Sequence, residues 1–343
     1  MKVLITGVPG WLGGRFLEIL LNGYKNEGPA VRDWQIRCLV LPGQDEAFIK
    51  NLNKTTSYQY PIEIINGDVT KKESLASAVK GVDVIIHITG LIHPKKISEL
   101  YEINTIGTLN LITEASNAGV KRFVYVSSNS VGGTNLKRHK MLKETDEPRP
   151  YMNYGLSKYY AECIVNSFQE TAKMETVILR PCWFYGPNQP KRQTKFFKMI
   201  EQGNPLVFGN GLNFRSMSYV DNTSQAMILA ATKKEAVGQT YWIADSRPYT
   251  TLEIYKTVAE LLEVKNFKPR FLPDLASEVF LLGDKFFQSL GMYQTEIHVA
   301  GEMNKDIACS IEKAKNELGY NPTIDLREGM RLSIEWCRKV GLL

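Results

Sequence analysis

Short apolar runs rich in β-branched residues alternate with longer amphipathic stretches through the first half of the chain. The runs predict strands at residues 3–6, 35–40, 62–65, 82–88, 123–126 and 176–179. The stretches between them predict helices at residues 13–21, 71–79, 97–117 and 151–171. Strands that are apolar on both faces and separated by helices are typical of a parallel sheet covered on both sides. The pattern therefore predicts an α/β protein with a doubly wound, Rossmann-like parallel sheet.

The regular alternation weakens after Pro181, where glycine and proline interrupt short segments. We expect a smaller second lobe there, one that binds the substrate. A further strand-like run at residues 240–244 predicts that the chain returns to the main sheet. The expected division is a cofactor-binding domain at residues 1–180, with a return segment near 239–246, and an interleaved, mainly substrate-binding lobe at residues 181–343.

Two helices can be placed more closely from local signals. Thr70 followed by Glu73 has the spacing of a capping box, which predicts that a helix starts at Thr70. The apolar stretch around residues 279–287 predicts an ordinary amphipathic helix that packs its apolar face on the core.

The apolar runs are too short to cross a membrane, since a bilayer-spanning helix needs roughly 20 consecutive apolar residues. We therefore expect no transmembrane segment. The first strand-like run directly follows Met1, which leaves no room for a leader and predicts a cytoplasmic protein. Scattered cysteines without close pairs predict reduced thiols and no metal site. They are Cys38, Cys163, Cys182, Cys309 and Cys337.

The charge balance restricts the class of partner. The 343 residues carry a formal net charge of +6, concentrated in residues 137–143 and 191–198. Because these runs lack interleaved aromatic residues and a recognition motif, we expect no nucleic-acid partner. An excess this modest fits an anionic small-molecule substrate, and each run is equally compatible with a solvated face.

Three glycines, Gly7, Gly10 and Gly13, stand between the first predicted strand and the first helix. A pyrophosphate needs glycines where the backbone turns tightly and approaches it closely, with helix N-terminal amides facing the anion. The spacing is G-x-x-G-x-x-G rather than the commoner G-x-G-x-x-G. Its position at the start of a βαβ unit nevertheless predicts a dinucleotide site that includes Trp11 and Leu12. The alternative is a purely structural turn.

The strand ends indicate which dinucleotide is bound. An acid after the second strand binds the ribose of NAD, whereas an arginine there accommodates the 2′-phosphate of NADP. Residues 41–43, Leu-Pro-Gly, offer neither, so we favour NAD without excluding NADP. Asp68 and Val69 follow the third strand, where the Asp68 carboxylate would accept a hydrogen bond from the adenine amine or would form a turn. Ile88 and Thr89, at the end of the fourth strand, are expected to lie beneath the cofactor.

Tyr154 and Lys158 are four residues apart in a predicted helix and therefore project from one face. A tyrosine is a weak base at its usual pKa of about 10, but a nearby ammonium group and an oxidised nicotinamide both lower that pKa. Tyr154 would then exchange a proton with a substrate hydroxyl while hydride passes to or from the nicotinamide. Ser128, at the end of the fifth strand, would donate its hydroxyl to the same substrate oxygen. The Y-x-x-x-K spacing is common by chance, so the prediction depends on all three features together.

On these residues the sequence resembles the extended short-chain dehydrogenase/reductases, also grouped as the NAD-dependent epimerase/dehydratase family. The resemblance covers nearly the whole chain. It implies that Ser128, Tyr154 and Lys158 form the catalytic triad and that Tyr154 and Lys158 also bind the cofactor. It further implies that Asn104 lies near the active site and binds the cofactor, and that Pro181 lies beside the nicotinamide. It also implies a homodimer built through helices 97–117 and 151–171. Further segments that carry it are residues 67–68, 107–110, 179–181, 185–187, 219–222 and 318–322.

Within that family the reaction depends on a few positions. Sugar-nucleotide dehydratases carry an Asp-Glu pair directly after the catalytic Ser or Thr, whereas this chain has Asn129-Ser130, which argues against a dehydratase. Nucleoside-diphosphate-sugar epimerases resemble the chain at Arg215, where their arginine binds the substrate diphosphate with a planar, bidentate guanidinium. Lys191 and Arg192 are candidates to assist it.

The competing resemblance is to 3β-hydroxysteroid dehydrogenase-like and dihydroflavonol reductase-like members, which share residues 209–213 and the apolar stretch at 279–287. That resemblance implies that the stretch walls an apolar pocket or rests on a membrane surface, as the alternative to an ordinary core helix. We expect a 4-epimerase-like enzyme acting on a nucleoside-diphosphate sugar, with a ketone reductase or alcohol dehydrogenase as the alternative. A third hypothesis is a non-catalytic NAD(P)-binding regulator, since function does not follow from fold alone. The retention of both Tyr154 and Lys158 argues against it.

Overall fold

The protein is described here from a computed structural model that covers residues 1–24, 27–172 and 174–343. Its strands, in chain order, are β1 (Lys2–Thr6), β2 (Gln35–Val40), β3 (Glu63–Asn66), β4 (Val84–His87), β5 (Arg122–Val126), β6 (Glu175–Pro181), β7 (Trp183–Tyr185), β8 (Leu206–Phe208), β9 (Phe214–Arg215), β10 (Met217–Tyr219), β11 (Gln239–Ile243), β12 (Tyr249–Thr250) and β13 (Arg270–Leu272).

The α-helices connect these strands and cover the sheet. They are α1 (Trp11–Asn22), α2 (Ala47–Thr55), α3 (Ala76–Val79), α4 (Ile97–Leu100), α5 (Gly107–Asn117), α6 (Met152–Thr171), α7 (Lys191–Glu201), α8 (Val220–Thr232), α9 (Thr251–Leu261), α10 (Asp274–Ser289), α11 (Thr295–Glu302) and α12 (Leu326–Lys339). A π-helical turn, Tyr101–Ile106, joins α4 to α5.

The main sheet has seven parallel strands in the order β11-β6-β5-β4-β1-β2-β3. The α/β, doubly wound fold predicted from the sequence is therefore confirmed. The strand order changes direction between β1 and β4, and ligands of such sheets bind at the carboxyl ends of the strands on either side of that point. The pairing of β11 with β6 brings the run predicted at residues 240–244 into this sheet. The boundaries of the two lobes stay a prediction.

Three apolar cores hold the layers together. Two lie on opposite faces of the main sheet, around Ile5 and Ile86 on one face and around Leu4 and Ile85 on the other. Neighbouring strand residues thus point into different cores, as the two-residue side-chain period requires. The third core belongs to the second lobe and is formed largely by α7, α9 and α12. The cleft between the lobes is therefore bounded by independently packed layers.

The capping box predicted at Thr70 does not form. The Asp68 carboxylate accepts hydrogen bonds from the Thr70 backbone N–H and hydroxyl at 2.9 and 2.8 Å, so both groups belong to a turn. The chain continues as a single 3-10 turn, Lys72–Ser74, without a side-chain cap, and then as the short α3. The helix predicted at residues 71–79 is therefore broken, because a neighbouring acid competes for the capping groups.

Helix α10 buries the face opposite to the one predicted from the sequence. Its apolar side chains point outward, and its buried side chains are the polar residues Ser277, Asp284 and Gln288. The prediction that the stretch at residues 279–287 packs its apolar face on the core is wrong, because the polar face binds α11 and the start of α6. Within α10 and at the residue that follows it, the apolar side chains that are more than half exposed are Leu275, Val279, Leu282, Phe286 and Leu290. Among the described helices, none is long and apolar enough to cross a bilayer.

Candidate active site

The glycine turn joins β1 to α1 at the point where the strand order reverses. Gly7 has φ +81°, a conformation that favours glycine, and a Cβ there would lie 2.9 Å from the Thr89 nitrogen. A Cβ on Gly13 would lie only 2.4 Å from the Gly7 carbonyl oxygen, so α1 approaches the turn more closely than any side chain allows. Gly10 donates its N–H to that same oxygen at 2.9 Å. The three positions therefore require glycine for backbone geometry.

The first turn of α1 is free to face an anion. Among the described residues no side chain caps this helix, which begins at Trp11 and Leu12. Unpaired amides and the helix dipole at such an end favour negative charge. Trp11 donates its indole N–H to the Pro187 carbonyl at 2.7 Å, which ties the turn to the second lobe. The turn thus has the shape and polarity that a pyrophosphate requires.

The carboxyl ends of β1 and β4 are joined through Thr6. Its hydroxyl accepts the backbone N–H groups of Ile88 and Thr89, both at 3.1 Å, and contacts His87 Nδ1 at 2.8 Å. His87 is completely buried, and its Nε2 lies 3.1 Å from the Thr108 hydroxyl. Burial and the charge of Lys158 lower the His87 pKa to about 3, so this histidine is a neutral core residue. These bonds fix the backbone at Ile88 and Thr89, whose contact with a cofactor stays a prediction.

The third strand end is organised around Asp68. Besides holding Thr70, Asp68 donates its backbone N–H to the Ser74 hydroxyl at 3.0 Å. Val69 is buried, and its carbonyl accepts the Asn110 side-chain amide at 2.9 Å. Asp68 is therefore a turn residue in this structure. The second oxygen of its carboxylate has no role in the turn, so its proposed bond to adenine stays a prediction.

Tyr154 and Lys158 lie on one face of α6, as their spacing predicts. Lys158 is buried, donates to the Val126 carbonyl at 2.9 Å, and has its Nζ 4.3 Å from the centroid of the Tyr125 ring. Burial lowers its pKa to about 7, an effect that the negative charge of Glu162 opposes. The ammonium is thus held directly behind the carboxyl end of β5.

Ser128 begins the short turn after β5 and faces Tyr154. Its hydroxyl accepts the backbone N–H of Ser130 at 3.2 Å, which orients it toward the cleft. Burial raises the pKa of Tyr154, while its hydrogen bond with Ser128 lowers it. Burial prevails in the protein alone, so Tyr154 is a neutral phenol at pH 7. The phenolate predicted from the sequence therefore needs the positive charge of an oxidised nicotinamide as well.

Asn104 is completely buried in the π-helical turn before α5. Its amide nitrogen donates to the Leu91 carbonyl at 2.9 Å and to the Ser157 hydroxyl at 3.0 Å, and its oxygen accepts the Leu91 N–H at 2.7 Å. Both ends of the amide are therefore occupied inside the protein. Asn104 positions α6 beside the loop after β4, and its direct contact with the cofactor stays a prediction.

Ser128 and Tyr154 open into a cleft that holds about 1070 Å³ of empty space, including solvent at its mouth. Pro181, at the end of β6, lines its inner wall. An adjoining pocket of about 530 Å³ lies within the second lobe and is lined mainly by aromatic and sulfur-containing side chains. Arg215 and Trp183 line both spaces.

Arg215 is the buried cation between these two spaces. Its side chain lies against Trp183, with 5.2 Å between the guanidinium carbon and the ring centroid, and one terminal nitrogen donates to the Glu302 carbonyl at 2.6 Å. The residue is 5% exposed, and among the described residues its Nε has no hydrogen-bond partner. A buried guanidinium with an unused donor is suited to an anionic ligand.

Two basic residues at the start of α7, Lys191 and Arg192, face different surroundings. Arg192 lines the cleft, whereas Lys191 is exposed and is not among the residues described as lining it. The two are adjacent on a helix, so their side chains point about 100° apart. Of the substrate residues predicted from the sequence, Ser128 and Arg215 thus meet in the cleft, and Lys191 does not.

Sequence reasoning missed a polar group on the opposite wall, contributed by α10 and α11. His298 and Glu302 line the cleft, and the buried Asp284 lies behind His298 at 2.7 Å. The spacing of His298 and Glu302, one helical turn apart, was the available signal. Nothing local in the sequence indicated that α11 faces Tyr154.

A glycine turn on a doubly wound parallel sheet, with Ser128 after β5 and with Tyr154 and Lys158 on α6, defines an extended short-chain dehydrogenase/reductase. Within this class the chain belongs to the 3-beta hydroxysteroid dehydrogenase/isomerase family, whose model matches residues 4–273. The predicted enzyme class is therefore confirmed.

Similar proteins include several activities. An uncharacterised protein of Sinorhizobium fredii is 42% identical over 99% of this chain and 96% of its own. UDP-glucose 4-epimerase of Vibrio cholerae is 28% identical over 77% of this chain and 80% of its own. A 3 beta-hydroxysteroid dehydrogenase/Delta 5→4-isomerase of Mycobacterium tuberculosis is 27% identical over 96% of this chain and 88% of its own.

Solved structures share the fold. A dTDP-glucose 4,6-dehydratase of Streptomyces venezuelae, determined with NAD bound, aligns with a TM-score of 0.77 and 23% identity, over 99% of this chain and 97% of its own. UDP-glucose 4-epimerase of Thermotoga maritima, determined with UDP-glucose, aligns with a TM-score of 0.76 and 22% identity over 99% of both chains. At these identities the likeness shows the architecture alone.

Proposed function

We propose that the protein binds NAD and uses it to oxidise and re-reduce a hydroxyl carbon of a nucleoside-diphosphate sugar, as a 4-epimerase does. The position of Arg215 is the observation that supports a nucleoside-diphosphate sugar as the substrate. It lies between an aromatic pocket suited to a nucleobase and the cleft that contains Ser128 and Tyr154. A diphosphate between base and sugar would occupy this position beside the Arg215 guanidinium, which lines both spaces. Arg192, on the cleft wall, would add a second positive charge.

The residues present fit NAD. The glycine turn has room for a pyrophosphate where any Cβ would collide, and the end of β2 carries neither an acid nor an arginine at Leu41. When bound, the nicotinamide supplies the hydride acceptor. Tyr154 takes the proton from the substrate hydroxyl, and Ser128 donates a hydrogen bond to the same oxygen. Lys158 stabilises the phenolate form of Tyr154 by its charge.

The alternative is oxidation or reduction of an apolar alcohol or ketone, such as a 3β-hydroxysteroid. The second-lobe pocket favours it, because its lining is mostly apolar. The family description and the mycobacterial relative favour the same class. Against it, an apolar ligand would bring no anionic partner to the buried Arg215 guanidinium, whose charge would be balanced only by the protein's own Glu302 and Asp306.

Cofactor retention distinguishes the two functions. An epimerase reduces the same substrate that it oxidised, so its NAD need not leave, whereas a dehydrogenase must exchange its cofactor at each turnover. We expect denatured, purified protein to release near-stoichiometric NAD, and we expect the native protein to interconvert UDP-glucose and UDP-galactose. Empty protein that oxidises a 3β-hydroxysteroid with added NAD would contradict the proposal.

Arg215 can be tested separately. Arg215→Met should raise the KM for the UDP-sugar about 10- to 100-fold, as expected for loss of a charged hydrogen bond, and should leave bound NAD in place. Arg138→Met, at an exposed arginine, is the matched control. An unchanged KM in Arg215→Met would remove the diphosphate assignment.

A homodimer through α5 and α6 is part of the proposal. Ile106 and Leu109, at the start of α5, and Tyr160 on α6 are exposed apolar side chains on these helices. Pairing them with a second copy would remove this surface from water. Sedimentation analysis should give a dimer that Leu109→Asp dissociates. The cytoplasmic location stays an expectation.

A further inference from the structure

The imidazole of His298 lines the cleft, and among the residues that the structure describes its outer nitrogen has no hydrogen-bond partner. Its Nδ1 lies 2.7 Å from Asp284 Oδ2, whereas its Nε2 lies 3.7 Å from Glu302 Oε1, beyond hydrogen-bond distance. A carboxylate at Nδ1 fixes the tautomer in which Nδ1 carries the proton and Nε2 presents a lone pair. His298 is therefore arranged as a base whose reactive nitrogen points into the same space as Tyr154.

A chain of hydrogen bonds holds this pair against the start of α6. Gln288 donates to Asp284 Oδ1 at 2.9 Å and accepts the Asn153 side-chain amide at 2.8 Å. Asn153, the residue before Tyr154, accepts the Tyr101 hydroxyl at 2.7 Å. The position of His298 is thus fixed relative to Tyr154 by buried polar contacts. This arrangement also accounts for the polar inner face of α10.

Several titratable groups surround His298. Burial lowers the pKa of His298, but the hydrogen bond with Asp284 and the charge of Glu302 outweigh it, so the pKa is raised above its ordinary value. For the Glu302 carboxyl, burial acts in the other direction and raises the pKa. The groups that face the imidazole are Asp284 from α10, Glu302 from α11, Tyr151 before α6, Tyr293 before α11 and His93 after β4, with Arg215 of β9 beyond Glu302.

We propose that His298 is a second acid-base residue of the cleft, which transfers a proton at a carbon next to the carbonyl carbon of the oxidised substrate. The proposal rests on the proposed function in one respect, because that carbonyl arises by oxidation at the hydroxyl carbon. A 4-epimerase alone needs no such base. The activity added is therefore exchange of the hydrogen on the neighbouring carbon with solvent.

The step balances without an external reagent. The C–H bond breaks, its proton goes to His298 Nε2, and its electron pair forms the C=C bond of an enolate. The hydroxyls of Tyr154 and Ser128 hydrogen-bond the enolate oxygen, and Glu302 stabilises the imidazolium. Return of a proton from His298 to the same face restores the C–H bond and the configuration, so the hydrogen at that carbon exchanges with solvent. Re-reduction of the carbonyl then restores the alcohol and the oxidised cofactor.

A haloketone tests for the base without requiring the natural substrate. Chloroacetol phosphate is anionic and carries its leaving chloride on a carbon next to a carbonyl, so a basic side chain in the cleft displaces chloride and becomes alkylated. The NAD-loaded protein should be used in a Cys163→Ser background, because Cys163 is an exposed thiol. We expect peptide mass spectrometry to locate the label on His298 or Glu302.

Matched variants separate a catalytic from a structural role. His298→Gln should slow labelling at least about tenfold, whereas His139→Gln, at an exposed histidine, should not change it. Asp284→Asn should move the midpoint of the pH-rate profile for labelling to lower pH, because the carboxylate that raises the His298 pKa is lost. Labelling of His93 instead, or an unchanged rate in His298→Gln, would overturn the proposal.

Solvent exchange tests the proton transfer itself. With UDP-glucose in D₂O, we expect deuterium at the carbon beside the oxidised one in the wild type, and we expect the deuterium taken up per UDP-galactose formed to fall at least about tenfold in His298→Gln. Conversion without deuterium uptake would overturn this inference and leave the proposed function intact. Absence of any UDP-sugar turnover would contradict the proposed substrate, and the labelling result would then decide the role of His298.

Discussion

The carboxylate of Glu162 accepts two hydrogen bonds from the guanidinium of Arg180, at 2.9 and 2.6 Å, and both side chains are buried. Glu162 lies one helical turn after Lys158 on α6, and Arg180 is near the end of β6. The pair therefore fixes the catalytic helix on the central sheet, one turn away from the lysine that the proposed chemistry needs.

Removing one charge of this ion pair should lower the free energy of unfolding. Glu162→Gln leaves a buried guanidinium without its counter-charge, for which we expect about 3–5 kcal/mol of lost stability, measured by denaturant unfolding. The double variant Glu162→Leu/Arg180→Met removes both charges and should recover most of that loss. A single variant as stable as the wild type would show that the pair does not anchor α6.

Tyr154 should be required for turnover and dispensable for folding. Tyr154→Phe removes the hydroxyl that exchanges the substrate proton, so we expect kcat to fall about 10²- to 10⁴-fold with the melting temperature and bound NAD unchanged. Tyr160→Phe, at an exposed tyrosine on the same helix, is the control and should keep full activity. Full turnover in Tyr154→Phe would remove the catalytic assignment.

The local geometry that the sequence predicts correctly depends on short spacing, while the roles of these residues stay predictions. The three glycines and the pair of Tyr154 with Lys158 belong to single turns or helix faces, so their spacing reports their geometry directly. The contact between Asp284 and His298 joins two helices, and no local pattern specifies how these pack. The reversed α10 follows from the same contact, because burying Asp284 and Gln288 turns its apolar side chains outward.

Competition between neighbouring groups explains the other failure. The capping box at Thr70 was a valid local signal, but Asp68 stands two residues earlier and binds the same N–H and hydroxyl groups. Single-turn signals are therefore decisive only where no nearby side chain offers an alternative partner.

Gly13 and Gly14 provide a matched pair for the cofactor turn. Gly13→Ala places a methyl group 2.4 Å from the Gly7 carbonyl oxygen, whereas the nearest atom to the same methyl at Gly14, the Pro9 carbonyl oxygen, lies at 3.4 Å. We expect Gly13→Ala to lose about 1–3 kcal/mol of stability and at least about tenfold in NAD affinity, by calorimetry, because the turn must open. Gly14→Ala should change the stability and the NAD affinity little. Equal NAD affinity in both variants would contradict the tight-turn argument.

Lys158 should make the stability of the protein depend on pH. Its pKa is about 7 in the folded protein, against an ordinary value of 10.5, because burial disfavours the ammonium. Between these values the unfolded chain binds a proton that the folded protein has released, so folding becomes more favourable as pH rises from about 7. Below about pH 7 both states are protonated, and the cost of burying the charge is present in full.

The measurement is the free energy of unfolding of cofactor-free protein from pH 6 to pH 9, compared with Lys158→Met. The variant lacks the titrating group, so its advantage over the wild type should be largest at pH 6 and should shrink by up to about 1.4 kcal/mol per pH unit above pH 7. Lys198→Met, at an exposed lysine, should follow the wild-type profile. A constant difference between Lys158→Met and the wild type would mean that Lys158 stays charged in the folded protein. Tyr154 would then have a permanent cation beside it even without the cofactor.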